Sequence, residues 1–129
     1  MSPEENKAFI RHYFEALSVK DKPAAVVNRY VSDEELKHHI AQYEAAFPGY
    51  QLTAEEMIAE GDKVVVRSTF HGTHKGDLMG IPPTGKQVTM PLILIYRIAD
   101  DKIVQHWMQA DSLGLLQQLG AIPAPTPTS

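Results

Sequence analysis

The chain has 129 residues, no cysteine and a formal net charge of -4, from 12 Lys and Arg against 16 Asp and Glu. A single domain of this size can bury a core without metal or disulfide staples, and the lack of cysteine excludes a disulfide framework, a thiolate zinc site and a cysteine nucleophile. Basic residues are scattered rather than striped, and no apolar run reaches signal-peptide or membrane-spanning length, so the expectation is a cytoplasmic protein with neither nucleic acid nor membrane as partner.

Ser2-Pro3-Glu4-Glu5 is a helix start, with a serine cap, proline at the first helical position and a glutamate completing the capping box. Phe9, Ile10, Tyr13, Phe14 and Leu17 follow at helical spacing. A shorter helix is expected from Asp21, with Pro23 near its start, to Val31. Ser32-Asp33-Glu34-Glu35 repeats the capping box with Ser32 as the cap. Leu36, His39, Ile40, Tyr43 and Phe47 then mark the inward stripe of a third helix, which Pro48-Gly49 stops.

Beyond Gly49 the period changes to alternating or continuously apolar. Strands are expected over 51–60, 63–73, 86–98 and 103–109, with turns at Gly61-Asp62 and Asp100-Asp101. Asp111-Ser112 opens a short closing helix, Leu113 to Leu119, ended by Gly120. Helices segregated before a curved, mostly antiparallel sheet make an α+β domain, residues 1–120, in which the helices cover one sheet face and enclose a pocket. The proline-rich 121–129 segment has nothing to bury and reads as a disordered tail.

In the third strand Met90, Leu92, Leu94 and Tyr96 alternate with Pro91, Ile93 and Ile95, so both faces are apolar. Helices cover only one of them. A homodimer through the outer sheet face is the expectation.

Gly80 to Lys86, GIPPTGK, has the spacing of a phosphate-binding loop. Pro82 and Pro83 remove two of the backbone donors such a loop needs, Gln87 stands where a magnesium-binding Ser or Thr belongs, and the loop leads into a strand. No nucleotide or other cofactor is expected. The six histidines show no catalytic metal spacing, and no metal is expected either.

His12 and His38 lie off the inward stripes and read as solvated. His39 and His106 each interrupt an apolar face. On the last strand, simple alternation places Val104, His106 and Met108 together. Each histidine is either a satisfied core residue or a pocket group. Asp111 either orients His106 or only caps the closing helix.

The segments GDKVVVRSTFHGTHKGDLMGIPPTGKQV, YRIADDKIVQHW and LGLLQQLG resemble the SnoaL-like polyketide cyclases, or ester cyclases, over residues 5 to 120. That family shares its cone-shaped α+β fold with nuclear transport factor 2 and ketosteroid isomerase. The resemblance implies ring closure of an aromatic polyketide by intramolecular aldol condensation, without cofactor or metal. In the family an aspartate two residues after the strand histidine acts as acid/base, and this chain has Met108 there. Leu92 and Leu94 replace a polar pair, Leu17 a tyrosine and His39 an asparagine.

The expected function is therefore a cofactor-independent cyclase, isomerase or lyase for a small hydrophobic, polyketide-like carbonyl compound. Its candidate catalytic residues are His106 as base, His39 as oxyanion donor and Asp111. Leu17, Tyr13, Tyr43, Leu92, Leu94, Val104 and Met108 would line the pocket. The alternative is a non-catalytic binding module for a lipophilic small molecule, since a methionine at the acid/base position fills space and adapts.

Overall fold

The computed structural model describes residues 2–18 and 24–121. The expected helix start at Asp21 and Pro23 and the tail beyond Ala121 lie outside them.

Helix α1 (Pro3–Leu17) begins at the predicted capping box. Ser2 Oγ accepts the Glu5 N–H and the Glu5 carboxylate accepts the Ser2 N–H, both at 3.1 Å. It buries Ile10, Tyr13, Phe14 and Leu17. A short α2 (Ala24–Tyr30) leads to α3 (Glu34–Ala46). The cap of α3 is Asp33, one residue later than the capping-box pattern placed it. The reason is that Ser32 is already engaged, its N–H and hydroxyl both donating to the Ile103 carbonyl at 3.0 and 3.4 Å.

Strands β1 (Gln51–Glu60), β2 (Lys63–Thr73), β3 (Gln87–Ala99) and β4 (Lys102–Ala110) form an open, antiparallel four-stranded sheet in sequential order, followed by α4 (Ser112–Leu119). The α+β reading and the four strand positions hold, with ends moved by a residue. The segment between α2 and α3 adds a parallel bridge from Val31 to Ile103, which anchors the start of α3 against β4.

On the inner face, register sets three parallel rows. Tyr96 lies between Val64 and His106, Leu94 between Val66 and Met108, and Leu92 between Ser68 and Ala110. The β3–β4 ladder then shifts: Arg97 pairs with Gln105 but Ile98 with Ile103, so Val104 is a bulged extra residue. Side-chain phase flips across the bulge. Ile103 is fully buried, whereas Val104 is 38% exposed and stands away from the inner face. The expectation that Val104 shares a face with His106 is thus corrected, because a period-two count fails across one unpaired residue.

On the outer face, Ile58, Val65, Ile95 and Trp107 form one cross-strand row. Ile93 in the next row is 49% exposed. The apolar outer side anticipated for β3 therefore extends over all four strands.

The GIPPTGK segment connects β2 to β3 and opens a strand, not a helix. The loop is built around His74, which is buried: its Nδ1 accepts the Thr84 N–H at 3.1 Å, and its backbone bonds to Lys86 and Gly85. Leu78 and Ile81 close a tight hairpin whose central residues, Met79 and Gly80, have φ of 48° and 88°. That conformation accounts for Gly80 in the motif without any phosphate.

Candidate functional site

The buried residues form a core in which α1 and α3 lie over the inner face of the sheet. Packing there leaves a void of about 50 Å³. Its wall includes Tyr13 and Leu17 from α1, Leu36, His39 and Tyr43 from α3, Leu92, Leu94 and Tyr96 from β3, and Met108 from β4. The surface is almost wholly apolar. The void has room for a few waters and falls well short of the few hundred Å³ of a typical ligand pocket. Six of the seven predicted lining residues border it, and Val104 does not.

Polar groups gather at the Tyr96–His106 end. His106 is nearly sealed, with 4% of its side chain exposed. Its Nδ1 lies 2.7 Å from Asp33 Oδ2. The same carboxylate caps α3 through Oδ1, which accepts the Glu35 and Leu36 N–H groups at 3.0 and 3.4 Å. Burial by itself raises the Asp33 carboxyl, but the His106 hydrogen bond and the helix N–H groups outweigh it and hold the group below its ordinary range. An ionised Asp33 can only accept. The His106 Nδ1 therefore carries a proton, and in the neutral ring Nε2 is the nitrogen with the free lone pair.

His39 stands on the cavity wall, and its ring meets His106 edge-on with centroids 5.6 Å apart. Its Nδ1 is buried without a partner among the described residues. Such an orphaned donor or acceptor is costly, and a polar ligand atom is one way to satisfy it. His39 and His106 are thus brought together, with His39 on the wall and His106 behind it, beside Met108 on the same strand face.

Asp111 is not part of this group. Its carboxylate accepts the Gly114 N–H at 2.9 Å as the cap of α4, and it is exposed. Of the two roles weighed for it, the structure shows capping, and the partner that orients His106 is Asp33. Sequence reasoning missed Asp33. The available signal was an Asx residue at the start of the helix whose inward stripe carries His39. Its partner lies 73 residues away on β4, a distance that pattern reading does not bridge. Among the described residues no three His, Asp or Glu side chains converge as metal ligands would, and no helix is long and apolar enough to cross a membrane.

Helices lying over one face of an antiparallel sheet, with a small apolar cavity and a buried imidazole–carboxylate pair at one end, define an α+β pocket protein. The chain belongs to the SnoaL-like polyketide cyclase family, whose model matches residues 5–119. Over 67 residues it is 40% identical to the aklanonic acid methyl ester cyclase DnrD of Streptomyces peucetius, a match covering 52% of this chain and 46% of the relative. A 50-residue match, also 40% identical, links it to the nogalonic acid methyl ester cyclase of Streptomyces nogalater, covering 39% of this chain and 37% of that protein. The matched stretch thus spans less than half the length of these curated relatives. Among solved structures, AclR of Streptomyces galilaeus, a proposed hydroxylase, superposes with a TM-score of 0.83 at 28% identity, covering 97% of this chain and 87% of AclR. TsrD of Streptomyces laurentii gives 0.81 at 27%, covering 95% and 99%.

The Asp33 geometry generates a pH-dependent stability. Because its folded value lies below the ordinary 3.8, ionised Asp33 stabilises the fold above that pH, and the contribution is lost as pH falls through the folded value. In Asp33→Asn the amide oxygen still caps α3 but the charged bond to His106 is gone. The expected loss is about 2 kcal/mol at pH 7, shrinking toward zero below pH 3.8, as read from urea melts at several pH values. A pH-independent difference would contradict the assignment.

Proposed function

We propose that the protein is a cofactor-independent ring-closing enzyme for a hydrophobic, polyketide-like carbonyl compound. The observation that carries the reading is the Asp33–His106 pair beside His39 at one end of an apolar cavity. Family membership and the names of the curated cyclases support it.

His106 Nε2, whose lone pair in the neutral ring is left free because Nδ1 is the nitrogen bonded to Asp33, is the general base that takes a proton from carbon next to a carbonyl. His39, whose Nδ1 has no partner among the described residues, donates to the substrate. The apolar wall strengthens both interactions by excluding water. The family aspartate at the Met108 position is replaced in role by a base one turn of the pleat earlier, supported by a carboxylate from α3.

The cavity as it stands does not hold a polycyclic substrate. Met108, unbranched and half-buried beside His106, is the wall residue best able to move, and its displacement would bring His106 to the substrate. The enzyme is therefore expected to bind by side-chain rearrangement.

Aklanonic acid methyl ester, named by the relatives, is the first compound to assay. Turnover by the wild type should fall about 100-fold or more in His106→Ala, with the far-ultraviolet circular dichroism unchanged. Full activity in that variant would remove His106 as base. A compound bound tightly and recovered unchanged, across a panel of polyketide carbonyls, would favour the lipophilic binding module instead.

The assembly belongs to the same reading. The outer row of Ile58, Val65, Ile95 and Trp107 is continuous and its flanking arginines are already paired, Arg67 with Glu56 at 3.3 Å and Arg97 with Asp62 at 2.9 Å. A second copy offers the same neutral apolar surface by two-fold symmetry. Sedimentation should show a dimer at micromolar concentration and a monomer for Trp107→Glu; a monomeric wild type would contradict the homodimer.

A further inference from the structure

Among the described residues four buried side-chain polar atoms lack a hydrogen-bond partner: Asn6 Oδ1, His39 Nδ1, Ser68 Oγ and His74 Nε2. Asn6 is held at the β1–β2 turn, where its amide donates to the Gly61 carbonyl at 3.1 Å, and His74 belongs to the loop between β2 and β3. His39 stands on the cavity wall. The Ser68 hydroxyl has no part in the chemistry proposed above.

Ser68 lies on the inner face of β2 and is 1% exposed. Its neighbours on that face of the strand, Val66 and Phe70, are apolar and buried, and so is Leu92 directly opposite it on β3. Leu92, Phe70 and the two diagonal neighbours, Leu94 on β3 and Leu52 on β1, all border the cavity. A buried hydroxyl without a bond weakens a fold, and alanine would avoid that cost at this position. The cost is offset when a ligand supplies the missing partner, which is the usual trade of stability for function.

We infer that Ser68 is a specificity residue, whose hydroxyl bonds an oxygen at the end of the substrate remote from the reacting carbon. The position of that carbon rests on the cyclase reading above. His106 lies in the Tyr96 row on β4 and Ser68 in the Leu92 row on β2, so the Leu94 row and the width of β3 separate them. Ordinary sheet spacing makes this roughly 16 Å between the two backbones. An oxygen held by Ser68 therefore takes no part in proton transfer. It selects which molecule fits and fixes which way round it lies.

The placement also narrows the ligand class. A serine hydroxyl both donates and accepts, so it takes a carbonyl or a phenol. The ligand is an elongated polycyclic compound with an oxygen at each end of its long axis, one toward His39 and the other toward Ser68.

The test compares 2,6-dihydroxyanthraquinone with 2-hydroxyanthraquinone, which lacks the second terminal oxygen, by equilibrium dialysis read by absorbance. The wild-type protein should bind the dihydroxy compound about five- to ten-fold more tightly, the worth of one neutral hydrogen bond. Ser68→Ala should bind the two compounds equally, with the affinity for 2-hydroxyanthraquinone unchanged. Without ligand, the same variant should melt about 3 °C above the wild type, because an unbonded hydroxyl has been removed from the core. Thr69→Ala, the neighbour whose hydroxyl donates to Glu55 at 2.9 Å, is the control and should keep the wild-type preference. Equal affinity in the wild type, binding of neither compound, a preference retained in Ser68→Ala, or a lower melting temperature for that variant would overturn the inference. Binding and melting are measured without turnover, so a failure here is separable from a failure of the cyclase assay.

Discussion

The arrangement depends on one carboxylate. Asp33 uses one oxygen to satisfy the first N–H groups of α3 and the other to hold His106 on β4. Cap bonds of this kind contribute about 1 kcal/mol to helix stability, and the charge-assisted bond to His106 adds to that. More important than the sum is the coupling. The helix start and the imidazole orientation in the middle of β4 are fixed by the same group, so α3 cannot slide along its axis without releasing His106. Ser32, by bonding to the Ile103 carbonyl, keeps Asp33 in place from the other side.

Much of the fold was legible because its signals are local. The Ser2 capping box, the inward stripes of α1 and α3, and the alternating runs of β2 and β3 each declare their element within a few residues. The apolar cavity wall followed from the same stripes, since Tyr13, Leu17, Tyr43, Leu92 and Leu94 are the residues at inward phase. What local pattern could not carry was the bulge at Val104, which is a property of two paired strands, and the Asp33–His106 contact between elements far apart in the chain. Asp111 attracted attention by standing near His106 in sequence, yet its carboxylate turns into α4. Proximity along the chain was a poor guide where the strand ended.

The departures from the family pattern acquire a physical sense once the site is assembled. Leu92, Leu94 and Met108 line an inner face without charged side chains, and the imidazole–carboxylate pair of His106 and Asp33 stands at its Tyr96 end. An apolar wall makes each remaining polar contact stronger and each unpaired one more costly. His39 Nδ1 is such an unpaired atom. Under the proposed cyclase reading, the small volume of the cavity and the unbranched Met108 beside His106 mean that a ligand is admitted by side-chain rearrangement.

Nitrogen NMR of the protein with labelled histidine, at neutral pH, tests the central claim most directly. The account predicts that His106 carries its proton on Nδ1, bonded to Asp33, and shows an unprotonated Nε2. A His106 protonated at Nε2 with a bare Nδ1 would mean that Asp33 donates instead of accepts, and His106 would then have no lone pair to offer a substrate.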